Sequence, residues 1–146
     1  MNFPQIFRGV KRLGIDTSPL IYYIEENPNY DKVINEVFRH FELNEFEINV
    51  SALALTEVMS YPIQLGNSEI ATLYYSFLTE TTGIRVVTAG VEVSCRAADL
   101  RAKYSLKTID AIHLATAVES GCDAFLTNDF TFKRITEIRV LILDDL

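Results

Sequence analysis

The stretch that most constrains this chain is TIDAIHLATAVESGCDAFLTNDF at 108–130. It reads as a helix, a tight stop, a short buried strand and an acidic turn. Thr108 stands where an N-cap is expected, which puts Asp110 in the first helical turn. Free N–H groups and the positive dipole end favour a carboxylate there. Ala111, Leu114, Ala115 and Val118 recur at i, i+3, i+4 and i+7 as one apolar stripe. Gly121 suits the position after the C-cap. Ala124–Thr127 then reads as a short apolar strand, and Asp129 sits just past its carboxyl end. In open α/β sheets that edge is where ligands bind. One segment thus delivers two carboxylates, Asp110 and Asp129, toward one place.

Earlier segments send more acid to the same kind of junction. Leu13 and Ile15 precede Asp16, and Thr17-Ser18-Pro19 opens a helix behind it, because proline near the first helical position marks a start. Asn27-Pro28-Asn29 ends that helix. Asp31 is expected to cap the next one, whose stripe is Val33, Ile34, Val37, Phe38 and Phe41. Residues 46–50 alternate as a second strand. Ser51 is expected to cap a third helix at 52–61, stopped by Pro62, with Glu57 in its second turn. Asn67 is expected to cap a helix with Ile70, Leu73, Tyr74, Phe77 and Leu78 inward. Ile84–Val87 is a third strand. Val91–Tyr104 is a helix with Ala97, Ala98 and Leu100 apolar, and residues 139–143 close as a fifth strand. Strands alternating with helices indicate an α/β fold with a mostly parallel sheet. Two helices separate each successive pair of the first four strands. A simple crossover needs one, so one helix of each pair is expected to lie across an edge or end; the sequence does not say which.

At 146 residues the chain is expected to form one domain, 1–146, with residues 1–10 as an N-terminal arm, loose or docked. No apolar run approaches the ~18 residues of a membrane span. The first twelve residues hold no apolar core of a signal peptide. Cys95 and Cys122 lack metal-ligand spacing and read as reduced, buried thiols of a cytoplasmic protein. The net charge of −7 argues against indiscriminate nucleic-acid binding, which needs a basic surface. It leaves room for a metal-assisted site with a local basic rim, or for a basic protein partner.

Four acids stand at junctions or in apolar surroundings: Asp16, Glu57, Asp110 and Asp129. Each alone has a plainer role as a helix cap, dipole partner, exposed helical residue or turn former. Together they matter more, because a parallel sheet gathers its carboxyl-end junctions along one edge. Clustered carboxylates repel without a counter-charge. A hard divalent cation with oxygen ligands, Mg²⁺ or Mn²⁺, resolves this and supports phosphodiester hydrolysis. No His or Cys cluster suggests zinc.

The residues GIDTSPLIYYIE at 14–25, SALALTEVMS at 51–60, TIDAIHLATA at 108–117 and FLTNDF at 125–130 resemble the PIN domain. This nuclease family includes the toxins of many bacterial and archaeal toxin–antitoxin pairs. The resemblance covers residues 11–143. It implies a three-layer sandwich around a five-stranded parallel sheet, with Mg²⁺ or Mn²⁺ and cleavage of single-stranded RNA. The family's acidic quartet maps onto Asp16, Glu57, Asp110 and Asp129 as catalytic and metal-binding residues. A small basic antitoxin and a homodimer are the partners it implies.

Lys103 and Lys107 precede Asp110 closely, and Lys133 and Arg134 follow Asp129, so these four are the candidate RNA contacts. Arg96 and Arg101 share the first group's neighbourhood; a solvated helix face is the plainer reading of such scattered bases. His113 is expected to pack or to hydrogen-bond behind the acids rather than act as a base. Tyr22 and Tyr23 read as one core and one boundary residue, with stacking on bases as the alternative. Thr127 and Asn128 are placed to orient Asp129. Two rival functions remain: a non-catalytic scaffold with an intact fold, and an acidic phosphoacceptor or phosphatase domain. The latter wants a carboxylate pair beside the first strand, and Thr17-Ser18-Pro19 supplies none.

Overall fold

The computed structural model describes residues 2–146; the first residue of the expected arm lies outside them. Five strands form the sheet: β1 (Arg12–Ile15), β2 (Glu47–Ser51), β3 (Ile84–Val87), β4 (Ala124–Thr127) and β5 (Arg139–Ile142). Their order is β3-β2-β1-β4-β5, and every pair is parallel. Before β1 lies a short helix, α1 (Phe3–Ile6). Helices α2 (Thr17–Ile24) and α3 (Asp31–Glu42) join β1 to β2, and α4 (Leu53–Gln64) and α5 (Ser68–Glu80) join β2 to β3. Helices α6 (Val91–Tyr104) and α7 (Thr108–Glu119) then carry the chain back across the sheet to β4. The chain builds outward from β1, returns, and builds out the other way. That reversal puts a topological switch point between β1 and β4, where diverging connections open a crevice at the carboxyl ends.

Alternation along the strands sorts the core into two faces. Leu13, Ile15, Ile48, Val50, Ala124 and Leu126 pack in one cluster with Leu20, Ile34, Phe38, Ala54, Val58, Tyr74 and Leu78 from α2–α5. Phe125, between Ala124 and Leu126, packs instead with Val93, Ala97, Leu100, Ala111, Leu114 and Ala115 from α6 and α7. The paired helices are thus distributed as four on one face and two on the other. Helix α7 rests directly on β1: a Cβ added to Gly14 would lie 2.5 Å from the Ala117 Cβ. Helix α7 ends at Gly121, whose φ of +77° lets the Cys122 N–H reach Ala117 O at 3.0 Å and its own N–H reach Val118 O at 3.3 Å. The arm docks: Phe3 and Phe7 are buried in the larger cluster.

Several local expectations are corrected. Pro62 does not stop its helix; α4 runs on to Gln64 with Pro62 buried inside it. The proline lies in the last turn, so it removes only one N–H from the ladder there. Thr108 and Asp31 are first helical residues rather than caps, behind Lys107 and Tyr30. Asp110 stays in the first turn of α7 all the same. The Ser51 hydroxyl accepts from the Leu53 N–H at 3.2 Å although Ser51 ends β2. Asn67 caps α5 as expected, accepting from the Ile70 N–H at 3.2 Å. Leu73 and Ala98 face solvent, not the core. Helix α7 buries far more than one stripe, because His113, Thr116 and Ala117 are covered as well. Cys95 is exposed rather than buried, and both cysteines are free. Residue 143 leaves the fifth strand and begins a 3-10 turn, Leu143–Asp145.

Candidate active site

The carboxyl ends of β1 and β4 lie side by side, and an aspartate stands beyond each. Asp16 follows β1 and caps α2: its Oδ1 accepts from the Thr17 N–H at 2.8 Å. Its own N–H donates to Leu126 O at 2.9 Å, which continues the β1–β4 ladder by one residue. Its Oδ2 accepts from the Thr127 hydroxyl at 2.8 Å. That same hydroxyl oxygen accepts from the Asp129 N–H at 3.1 Å. One threonine, the last residue of β4, therefore locks the two junctions together. Asp129 in turn opens the 3-10 turn Phe130–Arg134, its Oδ1 accepting from the Thr131 N–H at 2.9 Å. Asp16 is buried; burial pushes its carboxyl up, and the bonds from Thr127 and Thr17 pull it back.

The other two acids arrive from helices on opposite faces of the sheet. Asp110 is half-buried at the third residue of α7. Burial first, and then the charges of Asp16, Asp129 and Glu57, hold its carboxyl above the usual range. Asp110 thus feels the charges of the other three acids. Glu57 comes from α4 and meets His113, whose Nε2–H donates to Glu57 Oε1. His113 lies one turn along α7 from Asp110, with its side chain only 1% exposed. Its Nδ1 finds no hydrogen-bond partner among the described residues. The sequence pointed to a hydrogen bond for His113 but not to its partner, 56 positions away. The only signal was a polar ring within a run of small and apolar residues.

The donor set is carboxylate oxygen, which suits a hard divalent cation. As placed, no three His, Cys, Asp or Glu groups among the described residues stand close enough to grip one ion. The reason is visible in the bonds: Asp16, Asp129 and Glu57 each point at least one oxygen at a protein donor.

The expected basic rim is mostly engaged. Lys103 Nζ pairs with Glu137 Oε1 at 3.0 Å, and Lys133 Nζ with Asp145 Oδ2 at 2.8 Å. Arg134 donates to the carbonyl oxygens of Tyr104 and Thr131. Arg96 pairs with Glu119 at 2.7 Å, and the Arg101 Nε–H donates to Leu106 O at 3.0 Å. Lys107, at the N-cap of α7, is exposed beside Asp110. Asn128 does not turn to Asp129: its Nδ2 donates to the Tyr30 hydroxyl at 3.1 Å and its Oδ1 accepts from the Asp144 N–H at 2.9 Å. Tyr22 stacks on Tyr30 at 4.0 Å and Tyr23 on Phe38 at 3.8 Å, both half-buried, so neither is a free platform.

The fold recurs in solved structures. The solved structure of VapBC2 from Rickettsia felis bound to a DNA fragment from its promoter contains a chain that matches with a TM-score of 0.71 at 15% identity, over 90% of this chain and 98% of that one. DNA-bound VapBC from Salmonella typhimurium gives 0.71 at 19% identity, over 92% and 98%. VapC20 of Mycobacterium tuberculosis, a sarcin–ricin loop cleaving toxin, gives 0.67 at 15% identity, over 88% and 99%. No curated protein matches the chain at a significant level. The PIN domain family profile matches residues 14–138, from the glycine that seats α7 on β1 to the approach to β5. The chain belongs to the PIN domain family.

Proposed function

We propose that this chain is a metal-dependent endoribonuclease that hydrolyses phosphodiester bonds of single-stranded RNA, with Asp16, Glu57, Asp110 and Asp129 as its metal-holding and catalytic residues. The observation that carries the reading is Asp110, half-buried in the first turn of α7, its carboxyl held up by burial first and then by the charges of Asp16, Asp129 and Glu57. Such repulsion is unfavourable unless a cation joins the cluster. A bound Mg²⁺ or Mn²⁺ would lower the pKa of a water and offset charge developing on the phosphate. The chain's own residues do the positioning. Thr127 and Thr17 hold Asp16, Thr131 and Thr127 hold Asp129, and His113 holds Glu57. The first turn of α7 favours the charge on Asp110 through its free N–H groups.

Membership of the PIN family supports this reading, as does the fold shared with a toxin that cleaves the sarcin–ricin loop. The likeness to chains of VapBC complexes supports a toxin role with a small antitoxin partner. A basic partner suits a net charge of −7. An arginine from it could set its planar fork against two of the acids in the metal's stead. We place the protein in the cytoplasm as a single domain and as a homodimer. Lys103, Lys107, Lys133 and Arg134 are the proposed RNA contacts; for Lys103 and Lys133 this means exchanging a surface ion pair for a phosphate, at small cost.

One observation favours a second reading, the non-catalytic scaffold: Glu57 is already bonded to His113, and no three acids close on a single point. A single experiment separates the two. Purified protein is incubated with single-stranded RNA and Mn²⁺ or Mg²⁺, with a chelator control. The nuclease reading expects cleavage that the chelator stops and that Asp110→Asn lacks. Intact RNA at every metal concentration, from a folded protein, selects the scaffold.

A further inference from the structure

We propose that Phe130 is a stacking platform for one unpaired base of the RNA, adjoining the cleaved phosphate; this rests on the nuclease reading above. Phe130 directly follows Asp129 and leaves 50% of its surface open. Two residues on, Phe132 is fully buried and packs against Phe125 at 5.5 Å. The same short turn therefore buries one aromatic ring and presents the other. Among the described residues several large apolar side chains are exposed, but only Phe130 stands next to one of the four acids in the chain. A lone exposed phenylalanine is ordinary; one fixed beside a phosphate-processing edge is placed for a ligand with a flat face.

The ring is also electrostatically prepared. Lys133 Nζ lies over it, 4.6 Å from its centroid, and Asp145 Oδ2 anchors that ammonium at 2.8 Å. A base stacked on the ring's other face has its phosphate within reach of that ammonium, the combination that single-strand binders use. Stacking tolerates any base, because each has a π-face. It rejects duplex, whose bases are already stacked on their neighbours. Phe130 would thus help select single strands.

The chain contains no tryptophan, so Phe130→Trp introduces a sole emitter at this position. The variant is made together with Asp110→Asn, so that RNA is bound and not cut. Mixed-sequence single-stranded RNA of about a dozen nucleotides is titrated in, its binding followed independently by anisotropy of an end label. The expected result is quenching that tracks binding and is absent with a duplex of the same sequence. Phe130→Ala in the otherwise native chain should weaken RNA binding roughly five- to a hundredfold. Its Mn²⁺-induced rise in Tm should not change, because the ring holds no metal. Anisotropy that reports binding while emission stays constant overturns the platform and leaves the nuclease reading intact. So does a blue shift that grows with protein concentration before RNA is added, since it shows the ring covered by another copy. If the native chain neither binds nor cuts RNA, both readings fall together.

Discussion

The two ends of the parallel sheet carry aspartates that meet opposite fates. At the amino ends, Asp123 precedes β4 and accepts from the backbone N–H groups of Lys11 at 2.8 Å and Arg12 at 3.0 Å. Those bonds hold its carboxyl below the usual range. Beside it Arg12 faces Glu47 at 3.9 Å. At the carboxyl ends, Asp110 is half-buried, and burial first, then the charges of Asp16, Asp129 and Glu57, hold its carboxyl above the usual range. The same side chain is thus satisfied at one end and frustrated at the other. The Asp123 carboxylate, bonded to two backbone N–H groups, does its work in the fold. Asp110, held against like charges, is the acid whose cluster a cation would relieve on the proposed reading.

The contrast can be broken by substitution. The largest expected effect is on chemistry: Asp110→Asn should lower RNA cleavage at least about a hundredfold. It should leave metal-free stability equal or higher, because repulsion falls. If the variant unfolds instead, Asp110 is a structural group and the contrast fails at its functional end. Next, Gly14→Ala should destabilise the protein by about 1–3 kcal/mol, because the new Cβ collides with Ala117 where α7 crosses β1. Urea titration measures this, and an unchanged midpoint would mean α7 can shift without cost. Smaller again, Asp123→Ala should cost about 1 kcal/mol near neutral pH by orphaning two backbone donors. The sign follows from its lowered carboxyl. Its stabilisation is full above the ordinary aspartate value of 3.8 and is lost as pH falls through the lower folded value. Native and variant stabilities should therefore converge in acid; a gap that persists below that range would contradict the satisfied-end assignment. The smallest effect concerns the rim: neutralising Lys107 and Lys133 should flatten the salt dependence of RNA binding by about 0.7 per lost phosphate contact. An unaltered slope would show both lysines merely solvated.

Much of this was legible from local pattern. The strand-to-helix junctions behind Asp16 and Asp129 could be read because apolar runs and Pro19 mark them, and a parallel sheet gathers such ends. The pairing of α4 with α5 and of α6 with α7 was expected as pairs, but their faces were not. That choice depends on which side each strand residue presents, and it shows only once Phe125 is seen to face away from Ala124 and Leu126. Pro62 misled because proline stops helices in isolation, whereas here its ring is buried in the last turn. Leu73 misled because a stripe chosen by hydrophobicity alone is wider than the face a partner covers. The contacts that set the site, Gly14 on Ala117 and His113 with Glu57, join distant parts of the chain. No periodicity encodes them. Phe130 and Phe132 look alike in sequence, yet only one is buried, and that difference belongs to the turn that Asp129 opens.

The central claim is that the frustrated end of the sheet is a cation site. It is tested most directly by melting the native chain and Asp110→Asn side by side while Mn²⁺ is titrated. A ligand that binds only the folded state raises Tm with its concentration. The account predicts a progressive rise for the native chain and little or none for the variant, which starts from an equal or higher metal-free Tm. A native Tm that stays flat, or one that rises equally in both proteins, would contradict it.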